Sequence, residues 1–238
     1  AGVFEGVSGK VEISDLLNMK SAPGQQITID KVTLGLPIEK GTIRFQLTGY
    51  DAVGLEGAEW PFGGGFIRVK PMSFGFGAGD SNRIVAQAVN WDLEKLIEQF
   101  KVPDLKLKGI VSGDFPVTFS TGSARIDNAT LEANKTGGVI QYSGSAGDAA
   151  AQADENSQRL FEALKDFRYE VLKVGLNGDL AGRIMMTLNV YGKNPDVLAG
   201  TPFQLNIGID SELVQLLQNA AGMFDARAVI SQSKGDQP

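Results

Sequence analysis

The chain has 238 residues, a net charge of −6 and neither histidine nor cysteine, whereas glycine is frequent, with 30 residues. The missing residue types exclude Ser-His-Asp and Cys-His nucleophile pairs, ordinary zinc, haem and iron–sulfur sites, and disulfides. An acidic chain without a Lys/Arg run also argues against nucleic acid and against an anionic membrane surface as partners. Carboxylate chemistry, hard-metal binding or no chemistry at all stay open; of these we expect the last, with no cofactor, no metal and no enzymatic activity.

Alternation of apolar and polar residues dominates the chain and predicts strands with one buried and one wet face. The clearest stretches are residues 27–29, 32–34, 43–47, 105–108, 117–119, 184–191 and 203–209. Apolar stripes at helical spacing predict helices over residues 92–100, 154–166 and 211–224, and Asp92 is the expected cap of the first. Together these patterns predict a mainly β fold, an antiparallel sheet with a few short amphipathic helices.

An internal repeat relates two parts of the chain. The matched stretches are Gly41 to Phe45, Leu55-Glu56 and Gly63 to Ile67 in the first copy, and Gly122 to Ile126, Leu131-Glu132 and Gly137 to Ile140 in the second. Repeats of this size are typical of stacked supersecondary units, and duplication inside one compact sandwich is the alternative. Glu56 and Glu132 recur at equivalent positions, where an acid/base pair is the alternative to a structural role. We expect the structural role, with the recurring Arg44 and Arg125 pairing with these glutamates across a hairpin.

The same patterns divide the chain into five stretches. These are a first β layer over residues 1–84, a second over 85–142 with the first helix, a flexible linker over 143–153, a helix with the C-terminal strands and terminal helix over 154–224, and a frayed tail over 225–238. We expect them to form one continuous unit. The strand-like start, without a basic or apolar leader, favours a segment cut from a longer protein.

An ordered set of motifs fills the second half of the chain. It comprises Leu107-x-Gly109, Gly113-x-Phe115-Pro116-Val117, Gly137-Gly138-Val139-Ile140-x-Tyr142, Ala163-Leu164-x-Asp166-Phe167-x-Tyr169, Tyr191-Gly192-Lys-Asn194-Pro195 and Gly200-x-Pro202-Phe203-x-Leu205-Asn206-Ile207. In this order the motifs resemble the C-terminal region of the YdbH family, in the AsmA-like group that includes TamB. That region has also been labelled a dicarboxylate transport domain. The resemblance covers roughly residues 85–220.

This resemblance implies a periplasmic location, in a parent protein anchored in the inner membrane of a Gram-negative bacterium. It implies a curved, elongated sheet, called a β-taco, whose apolar trough carries phospholipid tails toward the outer membrane. It also implies strand pairing between the C-terminal end and a small outer-membrane lipoprotein. A dicarboxylate site is not expected, because no Arg/Lys cluster suited to two carboxylates is seen.

An acyl chain needs only an apolar wall, since each buried methylene contributes about 0.8 kcal/mol. We predict that twelve apolar strand residues line such a groove: Ile43, Phe45, Leu47, Phe66, Val117, Phe119, Ile126, Val139, Leu188, Phe203, Leu205 and Ile207. Two other functions stay open. The segment could be a docking module that pairs by strand addition without binding lipid. It could also be a sugar- or acid-binding domain, although the sequence shows no clustered polar groups for one.

Overall fold

The computed structural model describes residues 3–34, 36–75, 82–100, 102–120, 123–144, 155–180 and 182–212. Strands dominate these ranges, so the predicted mainly β fold is confirmed. The strands are β1 Val3–Lys10, β2 Ile13–Asp15, β3 Lys20–Ser21, β4 Gln25–Leu34, β5 Leu36–Leu47, β6 Ala52–Phe62, β7 Gly65–Val69, β8 Met72–Gly75, β9 Asn82–Asp92, β10 Leu105–Lys108, β11 Ile110–Ser120, β12 Ser123–Ala133, β13 Gly138–Tyr142, β14 Phe167–Asp179, β15 Arg183–Lys193 and β16 Phe203–Glu212. The helices are α1 Leu93–Phe100 and α2 Glu155–Leu164, with a short 3-10 turn at Leu198–Gly200.

Fourteen strands form one large antiparallel sheet that is not closed. Their order is β1-β4-β5-β6-β7-β9-β11-β12-β14-β13-β10, with β8 beside β6, β15 beside β14, and β16 beside β15. The remaining two strands, β2 and β3, form a separate small hairpin. Among the described strands β1, β8, β10 and β16 each have a single partner, so they are edges of the sheet. Strand β9 runs without interruption through residues 84 and 85, where the sequence patterns divide the first β layer from the second.

The sheet forks at β14. On one edge of this strand, β12 pairs with residues 173–179 and β13 pairs with residues 167–169. On the other edge β15 pairs along most of its length. Because β10 pairs only with β13 among the described strands, the two short strands form a side branch that begins at the start of β14.

One face of the sheet, here called the inner face, carries two clusters of buried apolar side chains. The larger cluster includes Val111 and Phe167, which are fully buried, and the smaller includes Ile184 with Val117 and Ile126. The opposite, outer face is wet. The alternation in the sequence accounts for this division, because successive side chains of a strand point to opposite faces.

Helix α1 begins where the sequence predicts. The Glu94 backbone N–H donates to Asp92 Oδ1 over 3.0 Å, so the expected cap is present. Leu93 and Leu96 are buried against the sheet. Leu96 reaches so close to Gly63 that a Cβ there would lie 2.7 Å from the leucine Cδ2.

The other two predicted helices have different outcomes. Residues 155–164 of the predicted helix over 154–166 form α2. Of the predicted helix over 211–224, residues 211 and 212 belong to β16 and the others lie outside the described residues.

The two copies of the repeat occupy different sets of strands, since the first spans β5, β6 and β7 and the second spans β12 and β13. The predicted pairing of Arg125 with Glu132 is wrong. Both residues lie on β12, seven positions apart, whereas a hairpin pair needs two strands. Arg125 instead pairs with Asp127 at 3.5 Å and Glu132 with Lys173 at 2.9 Å.

Candidate functional site

An apolar cavity of about 160 Å³ lies on the inner face, between the side branch, the strands β14 to β16 and the two helices. Every side chain in its wall is aliphatic or aromatic, and none is charged. A water molecule inside would lack the two to four polar partners that it needs. The wall consists of Leu93, Leu105, Leu107, Ile140, Tyr142, Phe161, Leu164, Leu172, Val174, Leu188, Val190, Leu205 and Ile207.

Strand register places these side chains together. Val190 is the Cα partner of Leu205 and Leu188 is the partner of Ile207, so β15 and β16 present four apolar side chains as two adjacent rows. The side branch does the same from the opposite wall, where Leu107 is the partner of Ile140. The period of two therefore makes every second residue part of the wall.

Helix α2 covers the cavity. Phe161 is buried and Leu164 half-buried, and both belong to the wall. The Phe161 ring lies 5.8 Å from the Tyr142 ring, centroid to centroid, which joins the helix to β13. An aromatic contact of this geometry stabilises the pair beyond its buried area.

The C-terminal end of α2 is fixed by Asn194, which is only 3% exposed. Its Nδ2 donates to the backbone carbonyls of Glu162 and Ala163 over 3.1 and 3.0 Å. Its Oδ1 accepts the Asp196 backbone N–H over 2.9 Å. The last carbonyls of a helix have no partner within the helix, so this side chain satisfies two of them.

Tyr169 fixes the side branch in the same way. Its Oη donates to the Lys108 carbonyl over 2.7 Å, and burial raises the pKa of the phenol to about 12. Gly109 and Gly138 make room for the ring, because a Cβ at either position would overlap Tyr169 Oη. Four residues of the motifs quoted above, Gly109, Gly138, Tyr169 and Asn194, thus hold the walls of the cavity.

A family model described as "YdbH-like: Intermembrane phospholipid transport protein YdbH" matches residues 1–234. The chain belongs to the YdbH-like family. The match includes the first half of the chain, which the motifs alone did not cover. Comparisons with curated proteins and with solved structures found no match.

Three of the twelve predicted groove residues of this YdbH-like chain, Leu188, Leu205 and Ile207, lie in the cavity wall. Phe203 lies beside it in the larger cluster, with its ring 5.2 Å from that of Phe167. Contact of these residues with lipid remains a prediction.

Seven predicted residues lie elsewhere on the sheet. Val117, Phe119 and Ile126 pack in the smaller cluster. Ile43, Phe45 and Leu47 lie on β5, where Phe45 is buried and the other two are half-buried. Phe66 is 38% exposed on the outer face, beside the Arg68 guanidinium.

Val139, the twelfth, also lies on the outer face, in a cleft with Lys106 and Lys108. Its neighbour Ile140 occupies the cavity instead. Register decides between the two, because Ile140 is the partner of the inward Leu107 and Val139 is the partner of the outward Lys108.

Ten wall residues were not predicted for the groove. Their signals were present in the YdbH-like sequence: Leu105 and Leu107 alternate with lysines, and Leu93, Phe161 and Leu164 belong to helical stripes. A stripe shows that a helix packs on something, but not on what.

The described ranges contain no group of three or more acidic, histidine or cysteine residues placed to hold a metal ion. No helix within them has both the length and the apolarity needed to cross a bilayer.

Proposed function

We propose that this segment carries phospholipid acyl chains across the periplasm between the inner and outer membranes, as part of a bridge-like apolar groove. The observation that supports it best is the apolar cavity on the inner face of an open sheet. The description of the family as an intermembrane phospholipid transport protein agrees with this cargo. That description names transport and no reaction.

The size of the cavity limits what it holds. A volume of about 160 Å³ is close to the roughly 150 Å³ of an apolar cavity that holds one benzene molecule, so only the end of one acyl chain fits. Each methylene that enters gains about 0.8 kcal/mol without any polar contact. In the proposal, the rest of the chain lies along the inner face.

The inner face extends far from the cavity. Cα partners lead from Ala86 on β9 to Val69, Ala58 and finally Ile43 on β5. Partners in an antiparallel sheet present their side chains on the same face, so an apolar row crosses four strands. Here Ile43, Phe45 and Leu47 are proposed as lipid contacts at the other end of the groove.

Photo-cross-linking in cells tests the proposal. A benzophenone amino acid replaces Leu205, in the cavity wall, or Gln204, its exposed neighbour on the outer face of the same strand. The parent protein is expressed in a Gram-negative cell, irradiated and analysed for lipid adducts by mass spectrometry. We expect phospholipid adducts at position 205 and none at position 204.

A second set of positions makes the test robust to local misfolding. Benzophenone at Leu188 and Ile207 enters the same cavity from β15 and β16. Absence of lipid adducts at all three inward positions, with stable protein present, would contradict the proposal.

A docking module is the second candidate, favoured by the edge position of β16. Within the described chain this strand pairs only with β15, along residues 203–212, which leaves its other edge open to an added strand. The proposed partner is a small outer-membrane lipoprotein. Polypeptide adducts along β16 without lipid adducts inside the cavity would favour this second function.

A further inference from the structure

A second concavity lies on the outer face, directly behind the apolar cavity. It has a volume of about 440 Å³ and is formed by the same two strands of the side branch, with the start of β14. Three of its six lining residues are basic, and the full lining is Lys106, Lys108, Val139, Gln141, Asp166 and Arg168. We call it the outer cleft.

Strand register creates this basic lining. Lys108 is the Cα partner of Val139, Val139 of Arg168, and Arg168 of Lys193, so one row crosses four strands. Side chains of such partners project from the same face about 5 Å apart. The short Val139 between two long cations leaves a depression whose rim is positively charged. No run of basic residues appears in the sequence, because each strand contributes only one or two.

The cations of the outer cleft are held in different ways. Arg168 donates from Nε and Nη2 to Asp166 Oδ2 over 3.3 and 3.0 Å, which fixes the plane of its guanidinium. Lys108 lies 3.4 Å from Glu94 of α1. Within the described ranges Lys106 makes no ion pair. The lining carries three positive charges, of which Arg168 is paired with Asp166 and Lys108 with Glu94, so the net positive charge is that of Lys106.

We propose that the outer cleft binds a phosphate group. The guanidinium N–H groups of Arg168 that do not donate to Asp166 suit phosphate oxygens, and lysine ammonium groups add point charges beside them. The excess of positive charge stands out in a chain with a net charge of −6. The site lies on the face opposite the apolar cavity, so it goes beyond the proposed acyl-chain groove and can be tested separately.

Titration of the 238-residue chain with inorganic phosphate and with glycerol 3-phosphate, followed by amide chemical shifts, tests this site. We expect saturable shifts that centre on β10, β13 and the start of β14. Lys106→Gln should weaken the affinity about two- to fivefold, the usual range for one exposed charge pair. Lys106→Gln/Arg168→Gln should weaken it further, and added NaCl should lower all affinities.

Lys173→Gln is the matched control. Lys173 is also exposed on the outer face of β14 and its replacement changes the net charge equally, but it pairs with Glu132 outside the cleft. If Lys173→Gln and Lys106→Gln weaken the affinity for phosphate equally, the effect comes from the net charge of the chain and not from the outer cleft, and the proposal is overturned. The absence of saturable shifts in the millimolar range would also overturn it.

Vesicles identify the source of the phosphate. If a lipid headgroup is the natural ligand, phosphatidylglycerol vesicles should retain the chain, and Lys106→Gln/Arg168→Gln should weaken retention more than Lys173→Gln. If the ligand is a free phosphate compound, vesicle binding should be the same for all variants while the phosphate titration still depends on Lys106. Vesicle retention and phosphate titration that are both insensitive to Lys106 and Arg168 would overturn the site.

Discussion

At the scale of single residues, close approach of neighbouring atoms explains some of the motif glycines better than backbone flexibility does. A Cβ at Gly138 would overlap both the Lys108 carbonyl and the Tyr169 hydroxyl. Gly138 has no left-handed backbone, so the requirement is for space alone. The glycine allows β10, β13 and the Tyr169 ring to come together, and that contact forms one wall of the cavity.

Tyr169→Phe should remove one buried hydrogen bond without changing the packing of the ring. The Lys108 carbonyl would lose its donor, which costs about 1 kcal/mol of unfolding free energy near pH 8. Urea unfolding of both chains, followed by tryptophan fluorescence, measures the difference.

The same difference should depend on pH in a defined direction. Burial raises the pKa of Tyr169 to about 12 from an ordinary 10.0, so above pH 10 the unfolded chain loses this proton before the folded one does. Stability that depends on the phenol is therefore complete below pH 10 and falls as the pH rises toward 12. Tyr169→Phe lacks this loss, so the gap between the two chains should close within about one pH unit above 10. A gap that widens there would contradict the burial of the phenol.

Residue-level assignment from the sequence fails where two apolar residues are adjacent. Leu205 and Ile207 are separated by a polar residue, and alternation placed both on the inner face. Phe66-Ile67 and Val139-Ile140 are doublets, and alternation cannot choose which member points inward. Pairing with the neighbouring strand decides, and that information is not local in sequence.

At the scale of elements, the helices are best predicted where their stabilising contacts are local. The cap of α1 comes from Asp92, the residue just before it, and both cap and helix were predictable. The existence of α2 was predictable from its apolar stripe. Its position was not, since it is fixed by Asn194, about thirty residues later in the chain.

Asn194→Ala should loosen α2 more than any other element. The Ala163 carbonyl would lose its buried side-chain donor, whereas the Glu162 carbonyl would keep the Lys165 backbone N–H, at a cost of about 1–3 kcal/mol. Hydrogen–deuterium exchange should therefore accelerate in peptides that contain α2 and remain nearly unchanged in β9 and β11. Asn189→Ala, on the exposed face of β15 shortly before Asn194, is the control and should leave α2 protected. Uniform acceleration over the whole sheet would show that Asn194 supports the fold in general instead of the helix.

At the scale of the whole molecule, the fork at β14 produces both candidate sites. A strand paired along its full length with β12 would leave no side branch, and neither the apolar cavity nor the outer cleft would have a second wall. Composition and periodicity predicted an antiparallel sheet with one buried face. They did not predict the fork, because the fork depends on how β12 and β13 share one edge of β14.

An empty apolar cavity lowers the stability of the fold. A side chain that fills it should therefore raise the unfolding free energy while it reduces contact with lipid. Val174→Leu adds one methylene inside the cavity, which has room for it, and should raise the unfolding free energy by up to about 0.8 kcal/mol. The same methylene occupies space that a lipid tail needs, so lipid adducts from a benzophenone at position 205 should decrease. Val171→Leu makes the identical change at an exposed position of β14 and should alter neither quantity. Overpacking would instead lower stability by about 1–3 kcal/mol. A Val174→Leu chain that is more stable yet gives undiminished lipid adducts would separate the cavity from the lipid path.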